Sequence, residues 1–314
     1  MLTLLLHNFA VIEIDNPVHV TLSACNGRLN IERLTVLKSS DMYLVLCCML
    51  TDDSEYVLSC DDKRISFRTR TKSTSCGPLE ITRDHLPFIQ KIAASVPGEF
   101  LVTSDWDVGF WNELLSFSFF TLPMTGQKLV LLPCPDERYC VIDLADSPER
   151  SRKSKRFDDQ FDIRVNHDFK HSLETAAEWH RLHNGTWLSP LCVKNLLALS
   201  ESQDSTIRMV SFEAWEKSSG KLAAVSLGYS CGLNFHDFTA CTIIRDKRSI
   251  GTILLHKQRQ LLVSAGCQLW YLGFKIPYMK ILNGSELDSG TFFDKWNDGR
   301  KHGNFFFDEL VGRI

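Results

Sequence analysis

The most constraining feature of the sequence is a succession of four apolar stretches in its second half, with one helical stretch before the last of them. The alternation of β-branched and apolar residues predicts strands over residues 207–215, 221–227, 233–244 and 268–274, and a helix over residues 249–265. A polar turn at residues 216–220 joins the first two strands and predicts a hairpin. Gly266 directly follows the helix, where a glycine in the left-handed conformation commonly ends one.

Three strands, a helix and a further strand are the order of an N-acyltransferase core. We therefore expect an α/β (α+β) fold with an acetyltransferase-like, GNAT-type core. The N-terminal region differs, because residues 43–46 and 56–58 are short apolar runs around a polar turn, which is typical of β-structure. We predict three parts: a β-rich extension over residues 1–85, a small subdomain with a basic segment over residues 86–160, and an acetyltransferase-like domain over residues 161–314.

The composition excludes several classes of protein. Among 314 residues, 44% are apolar and 23% charged, which is a globular balance rather than a disordered one. The net charge of -3 argues against a generally basic surface but leaves room for a local basic patch. The 11 cysteines form no CxxC pair, and His236 and His256 fit no catalytic triad or metal-ligand spacing, so we expect free thiols, no metal and no cofactor.

Apolar runs in the sequence are all too short to span a membrane, and the apolar first residues lack the features of a signal peptide. We therefore expect a cytoplasmic protein without a membrane partner. We also expect a monomer.

Five basic residues cluster in a polar stretch between two apolar regions: Arg150, Arg152, Lys153, Lys155 and Arg156. Such a basic run can neutralise phosphates along an RNA backbone, and each contact adds salt-dependent affinity. A solvated linker or helix face would carry the same residues, so the composition of the run leaves both interpretations open. Its position between two folded parts is where a substrate groove could lie.

A tryptophan loop and a strand-to-helix turn offer further candidates. Trp187 follows the predicted helix over residues 169–183, where it can stack on a nucleobase, line an apolar pocket, or fill the core. The turn at residues 248–253 half resembles one that grips the pyrophosphate of CoA with backbone N–H groups. Gly251 matches the first glycine of that pattern, but Ile253 takes its second small position, where a bulky side chain would keep the diphosphate away.

Several stretches, taken in order, resemble the bacterial leucyl/phenylalanyl-tRNA–protein transferases. The strongest match is Gly-Thr-Trp-Leu-Ser-Pro at residues 185–190, which is similar to the family's GTWITP. Residues 211–215 are similar to its SVEVW, and residues 266–282 align without a gap to its GFxLIDCQxxxPHLxSL. Weaker similarities are found at residues 100–105, 122–123 and 134–138 and in the basic run. The resemblance covers about residues 86–310.

The resemblance implies an acetyltransferase-like fold and the transfer of leucine or phenylalanine from its tRNA to the N-terminal amine of an acceptor protein, which marks that protein for degradation. The donor is a tRNA ester, so no cofactor is implied. The amine must be neutral to attack the ester carbonyl, so a group that withdraws or orients its proton assists the reaction. An apolar pocket would select the carried side chain by its area and shape.

Substrate-binding residues are implied by the same resemblance. Trp187 would flank the 3′ adenosine and the aminoacyl group, with Phe235, Phe274 and His236 as further candidates. The residues that would hold the tRNA are Arg138, Arg150, Arg152, Lys153, Lys155 and Arg156.

The catalytic candidates are Asp237 and Tyr271. Tyr271 and Gly273 occupy the positions of the family's aspartate and glutamine, and Phe238 occupies that of its glutamate. Asp237 is one residue away from the glutamate position, and strand neighbours point to opposite faces. It therefore reaches that position only through a shift of register or a bulge.

Two alternatives remain open. A non-catalytic member of the family would bind tRNA ends or protein N-termini in the same groove. A CoA-dependent N-acyltransferase would use a different donor, and the side chain of Ile253 is the sequence feature that opposes it.

Overall fold

The computed structural model describes residues 2–5, 10–14, 20–24, 34–39, 42–47, 53–61, 63–69, 81–95, 100–124, 130–133, 138–144, 155–183, 185–203, 205–273 and 277–303. The chain forms two compact units, Met1–Thr103 and Ser104–Ile314.

The first unit is rich in β-strands. Its elements are β1 (Leu2–Leu5), β2 (Ala10–Ile14), β3 (Val20–Ala24), β4 (Leu34–Ser39), β5 (Met42–Cys47), β6 (Glu55–Cys60), β7 (Lys63–Arg68), a 3₁₀ helix (Arg83–Phe88), α1 (Ile89–Ser95) and β8 (Phe100–Thr103). They include two antiparallel sheets, ordered β1-β2-β5-β4 and β3-β6-β7. Tyr56 and Leu58 alternate with more exposed residues along β6 and are buried with Phe67, since every second residue of a strand points to the same face.

The second unit is built around a seven-stranded sheet. Its elements are α2 (Val108–Ser116), β9 (Leu122–Pro123), β10 (Val130–Pro133), β11 (Tyr139–Asp143), a 3₁₀ helix (Asp158–Gln160), β12 (Phe161–Val165), α3 (Phe169–His183), α4 (Pro190–Glu201), β13 (Arg208–Glu216), β14 (Lys221–Cys231), β15 (Asn234–Thr242), α5 (Ile250–Ser264), β16 (Leu269–Gly273), a second 3₁₀ helix (Pro277–Leu282), β17 (Gly284–Leu287) and α6 (Ser289–Arg300). The order of the sheet is β12-β13-β14-β15-β16-β11-β17.

The predicted mixed α/β fold is confirmed. Strands β13, β14 and β15 form an antiparallel meander, α5 crosses over the sheet, and β16 returns parallel to β15. Gly266 has a φ of +84° directly after α5, and its amide donates to the carbonyl of Val263, so it ends the helix as predicted. Strand β11 comes from the predicted small subdomain but lies within this sheet, between β16 and β17.

Helices cover both faces of the sheet. Phe212 lies in the core cluster beneath α5, whereas the neighbouring Glu213 accepts a hydrogen bond from the amide of Asp168, just before α3. Because strand neighbours point to opposite sides, α5 and α3 lie on opposite faces, called here the α5 face and the α3 face. None of the helices in the described ranges combines the length and the hydropathy that crossing a bilayer requires.

Helix α6 is joined to the turn between β14 and β15 by a close backbone contact. Gly232 has a φ of +59°, and a Cβ added there would collide with the carbonyl of Gly299. A Cβ on Gly299 would collide in turn with the side chain of Asn234. The amide of Leu233 donates to the Gly299 carbonyl at 3.0 Å, and Asn234 donates to the carbonyl of Trp296 at 2.7 Å. Two glycines therefore allow this end of the helix to lie directly on the strand turn.

Candidate functional site

The central feature of the site is a fork between the two parallel strands β15 and β16. Their pairing runs from Asn234 opposite Leu269 to His236 opposite Tyr271, and it ends there. Beyond this point β15 continues to Thr242, while the last residue of β16 pairs with β11. The two central strands of the sheet therefore pair over only three residues.

A β-bulge lies on β15 at the mouth of the fork. Gly228 of β14 is opposite Asp237, but Leu227 is opposite Thr239, so Phe238 is the extra residue. A Cβ on Gly228 would collide with the backbone of His236, which is the close approach that glycine allows next to a bulge. Phe238 lies on the α3 face, like His236 two residues before it, and its ring contacts other aromatic side chains there. The bulge brings the next residue, Thr239, to the same face, where its hydroxyl lies 2.9 Å from His180 of α3.

Three half-buried aromatic residues form a cluster over this bulge on the α3 face: Phe120, Trp187 and Phe238, called here the Trp187 cluster. The ring of Trp187 lies 4.7 Å from that of Phe120 and 5.9 Å from that of Phe238, in both cases edge to face. The Phe120 ring is also 5.4 Å from His236. The structure thus brings Trp187 next to β15 and close to His236.

His236 is fully buried beneath this cluster, and its hydrogen bonds define its tautomer. Its Nδ1 lies 3.1 Å from the hydroxyl of Tyr229, and that hydroxyl donates its only proton to the carbonyl of Leu115. Burial raises the pKa of Tyr229 well above its ordinary value, so the phenol keeps this proton. The Tyr229 oxygen must therefore accept from His236, which places the imidazole proton on Nδ1 and leaves a lone pair on Nε2.

This imidazole stays neutral over the physiological range, because burial lowers the pKa of His236 to about 3. Nε2 has no hydrogen-bond partner among the described residues. It faces Gly273, where an added Cβ would lie 4.0 Å from Nε2. The glycine at the place where the resembling family has glutamine therefore presents no side chain of its own to this hydrogen-bond acceptor.

Tyr271 forms the β16 side of the fork. Its buried ring lies 4.4 Å from the His236 ring and 4.6 Å from that of Phe292 on α6. Trp296 of α6 and Tyr139 of β11 surround it at 6.2 and 5.8 Å. The structure therefore brings together Tyr271, His236 and Trp187 among the predicted site residues.

Asp237 points to the other side of the sheet. Its carboxylate accepts hydrogen bonds from Ser226 at 2.9 Å and from Gln258 of α5 at 3.3 Å. The bulge does not turn it towards Trp187, because the inserted residue is Phe238, which follows Asp237. Burial raises the pKa of Asp237 to about 7, with its two hydrogen bonds acting in the opposite direction. It is a buried acid on the α5 face, separated from His236 by the sheet.

Phe235 also lies on the α5 face. It is fully buried in the core, 5.6 Å from the ring of Phe212 and 6.4 Å from that of Trp270. It therefore lies on the opposite side of the sheet from the Trp187 cluster and does not line it. Phe274 lies outside the described residues.

The predicted tRNA-binding residues are only partly described. Arg150, Arg152 and Lys153 lie outside the described residues, while Arg138, Lys155 and Arg156 are exposed. Arg156 stands 5.3 Å from the ring of Phe157, which packs against the core of the α5 face. The described end of the basic run is thus on the other side of the sheet from Trp187. A cation on the α3 side is Arg245, which lies 4.8 Å from the ring of Trp179 on α3.

In the sequence, the side chain of Ile253 opposes CoA binding at the turn before α5. The structure gives a different reason. Ile253 does not stand in front of the turn, because its side chain is buried in the core beneath α5. Two carboxylates flank the turn instead: Asp246 accepts from the Arg248 amide at 2.8 Å, and Glu216 pairs with the Arg248 guanidinium at 2.5 Å. Hydrogen bonds from Arg248 lower the pKa of Asp246, so it is ionised at neutral pH. The amide and the guanidinium of Arg248 at this turn are therefore already paired with carboxylates.

No protein-family model and no curated protein matches the chain. Among solved structures, L-PGS from Bacillus licheniformis is similar at 12% identity over 90% of each chain, with a TM-score of 0.35. The C-terminal domain of a putative lysylphosphatidylglycerol synthetase from Agrobacterium fabrum is similar at 13% identity over 89% of this chain and 78% of that chain, with a TM-score of 0.36. A tandem GNAT protein from the clavulanic acid biosynthesis pathway is similar at 8% identity over 76% of this chain and 83% of that chain, with a TM-score of 0.30. At these scores the fold assignment rests on the chain's own topology.

Several residues of the site carry no signal in the sequence motifs. Phe120 lies in a loop rich in aromatic residues. Tyr229 lies in β14, whose sequence is typical of a core strand. Gly228 was the one available indication, since glycine inside a strand often marks a bulge. No group of histidine, cysteine and acidic residues within the described ranges is arranged to hold a metal ion.

The arrangement combines three chemical properties. The pairing of the two central strands ends at the fork, the Trp187 cluster offers half-buried aromatic surface, and Nε2 of His236 offers a neutral acceptor next to them. Aromatic faces bind nucleobases and apolar side chains, and an unprotonated imidazole can accept a proton from a reacting amine.

Proposed function

We propose that the chain is an aminoacyltransferase that moves leucine or phenylalanine from its tRNA to the N-terminal amine of an acceptor protein. The observation that supports this most is the position of His236, whose Nε2 lone pair faces Gly273, where the pairing of β15 and β16 has ended, next to the Trp187 cluster. The terminal adenosine of the tRNA would contact Trp187. The carried side chain would enter the fork between Phe238 and Tyr271.

In the proposed reaction the neutral amine of the acceptor attacks the ester carbonyl carbon. A C–N bond forms, the bond from that carbon to the ribose oxygen breaks, and one proton passes from the nitrogen to the ribose oxygen. The nitrogen becomes more acidic as it bonds to the carbonyl carbon, and Nε2 of His236 would accept its proton, a transfer that the low pKa of this imidazole makes uphill. His236 would then return the proton to the leaving ribose oxygen.

The turn before α5 favours a tRNA ester over CoA as the acyl donor. A CoA-dependent enzyme holds the pyrophosphate of its cofactor with the N–H groups at a helix N-terminus. Here the ionised Asp246 already accepts the Arg248 amide at this turn, and Glu216 pairs with the guanidinium of the same residue. Both carboxylates hold the Arg248 guanidinium, so the donors of this residue are already paired and are not available to a diphosphate.

A second candidate function is binding without transfer. It is favoured by the residues at the positions of the family's carboxylates and amide, which are Phe238, Tyr271 and Gly273, none of which is acidic. The same fork and aromatic cluster would then bind the end of an aminoacyl-tRNA or a protein N-terminus.

The two candidates are separated by a transfer assay. The purified chain is incubated with tRNA charged with radiolabelled leucine or phenylalanine and with an acceptor peptide that begins with arginine. Appearance of the label in the peptide supports the transferase. Binding of the charged tRNA without transfer supports the binding protein, and neither binding nor transfer rejects both.

The choice of donor is tested separately by thermal denaturation. We expect acetyl-CoA to leave the Tm unchanged and aminoacyl-tRNA to raise it, because a ligand that binds only the folded state stabilises that state. A Tm increase with acetyl-CoA, absent with charged tRNA, would assign the fork to a CoA-dependent enzyme.

A further inference from the structure

Strand β12 is an edge strand of the large sheet with an open side. Within the part of the chain that the structure describes, it pairs with β13 only. Edge strands usually carry features that prevent pairing with another chain, because their free N–H and C=O groups are a template for it. The sequence of β12, Phe-Asp-Ile-Arg-Val, contains no proline and no lysine.

The backbone groups that point away from β13 can be identified from its hydrogen bonds. Lys217 donates to the carbonyl of Gln160 and Asn166 donates to the carbonyl of Ser211, each at 3.0 Å. Residues of an antiparallel strand alternate between facing the neighbouring strand and facing away. The even-numbered residues of β12 therefore face β13, and the odd-numbered residues Phe161, Ile163 and Val165 face the open side.

We propose that this edge binds the β12 strand of a second copy of the chain, in an antiparallel register centred on Ile163. In this register Ile163 pairs with Ile163 of the second copy, and each Val165 amide donates to a Phe161 carbonyl. The amide of Phe161 is not needed, since it donates to the carbonyl of Asp158 within its own chain. All the backbone groups that the pairing uses are among those that face the open side.

The charges of β12 are complementary to themselves in this register. Asp162 of one copy is opposite Arg164 of the other, and Arg164 is opposite Asp162. These are non-hydrogen-bonded positions, at which facing side chains are closest. Any register shifted by two residues would lose this double pairing of opposite charges. The charge pattern therefore selects a second copy and a single alignment.

The groove beside the strand fits the apolar side chains that such a partner would bring. It measures about 1000 Å³ and runs along β12, with Lys257, Gln260 and Leu261 of α5 on its other side. Phe161 and Val165 belong to the core of the α5 face, and Ile163 and Leu261 pack against it while partly exposed. A twofold axis perpendicular to the sheet keeps both α5 faces on one side. The Ile163 side chains of both copies would then cover the exposed apolar surface next to Leu261.

The proposal is tested by charge exchange in the full-length chain, with the mass in solution measured by light scattering over a wide range of concentration. We expect the wild type to form a dimer, and Asp162→Arg and Arg164→Asp each to be monomeric, because like charges then face each other. A mixture of these two variants should form a heterodimer, since every arginine then faces an aspartate. The double variant should recover the homodimer.

Circular dichroism and the Tm of each variant establish that it is folded, which matters because Asp162 also lies 3.4 Å from Lys217 and 3.6 Å from Arg164 of its own chain. Ile163→Pro is a second disruption, since it removes an amide that faces away from β13 and should leave the sheet intact. A wild type that is monomeric at every concentration overturns the proposal. The partner of the β12 edge would then be an extended segment of another protein. Folded single variants that stay dimeric, or that fail to combine when mixed, overturn it as well.

Discussion

The Nδ1 atom of His236 lies 3.1 Å from the hydroxyl of Tyr229, and that hydroxyl donates its proton to the carbonyl of Leu115. This pair of contacts leaves only one way to distribute the protons, with Nε2 of His236 unprotonated. A side chain that keeps the donor at Nδ1 but lacks Nε2 therefore separates the structural role of this histidine from its chemical role.

The first prediction concerns a matched pair of His236 variants. His236→Asn keeps an N–H near the Nδ1 position and should preserve the bond to Tyr229, whereas His236→Gln can place an oxygen near the Nε2 position. We expect the asparagine variant to lose about a hundred- to ten-thousand-fold in the rate of aminoacyl transfer, the range for removing an acid–base group. The glutamine variant should lose a similar amount, because an amide oxygen accepts a hydrogen bond but does not take up a proton. Activity retained by the glutamine variant alone would show that Nε2 acts only as a hydrogen-bond acceptor. Single-turnover transfer rates check this, and equal rates in both variants and the wild type would exclude His236 from the reaction.

The second prediction concerns Trp187, which is half-buried and contacts Phe120 and Phe238. Stacking of a base on an aromatic ring contributes about 1–3 kcal/mol, so Trp187→Ala should raise the Kd for aminoacyl-tRNA by about five- to 150-fold. Trp187→Phe keeps an aromatic face and should lose much less. Fluorescence titration gives the Kd, and denaturant unfolding gives the stability. A loss of stability as large as the loss of binding would make Trp187 a core residue.

The third prediction concerns the pH dependence of stability. The pKa of Asp237 in the folded protein, about 7, is above its ordinary 3.8, so its stabilising contribution is complete below about pH 4 and is lost as the pH rises to about 7. The pKa of His236, about 3, is below its ordinary 6.5, so its contribution is complete above pH 6.5 and is lost as the pH falls. The two effects oppose each other between about pH 4 and pH 6.5.

Variants of these two residues should therefore have opposite pH profiles. Asp237→Asn should become less stable as the pH is lowered from about 6.5 to 4.5, and His236→Asn less stable as it is raised over the same range, each by on the order of a few kcal/mol. Urea denaturation at several pH values measures the free energy of unfolding. Parallel profiles for wild type and Asp237→Asn would show that Asp237 titrates as an ordinary exposed carboxyl.

The fourth prediction compares two sources of positive charge for tRNA binding. Reversing Arg152 and Lys153 to glutamate should weaken binding and flatten its dependence on salt if the basic run contacts phosphates. Arg245→Glu makes the same comparison for a cation that the structure places near α3, on the Trp187 side of the sheet. The slope of log Kd against log salt is the measurement. If the double reversal leaves the salt slope unchanged and Arg245→Glu reduces it, the RNA binds along the α3 face and not at the basic run.

Local patterns predicted the elements of the fold well. The helix predicted over residues 169–183 is found as Phe169–His183, because its apolar residues Leu173 and Ala176 recur at helical spacing and are buried on one face. The strands and helix from residue 207 to 274 were also predicted in the right order. These elements depend on periodicity and end signals, which are properties of short segments.

The site was less predictable because its geometry depends on pairing between distant segments. A period of two places Phe235 and Asp237 on one face of β15 and His236 on the other, but it does not show which face meets α5. The bulge at Phe238 arises from the register with β14, and β11 enters the sheet from a remote part of the sequence. Neither has a local signal beyond Gly228.

The contact between Gly232 and Gly299 has a consequence for the evolution of the site. A methyl group at either position would push the end of α6 away from the β14–β15 turn, and Phe292 and Trp296 on the same helix pack around Tyr271. A change of one residue there would thus reshape the wall of the fork without touching any residue in it. Homologues that carry a larger residue at one of these positions should differ in the size of side chain they accept, even where His236 and Trp187 are retained.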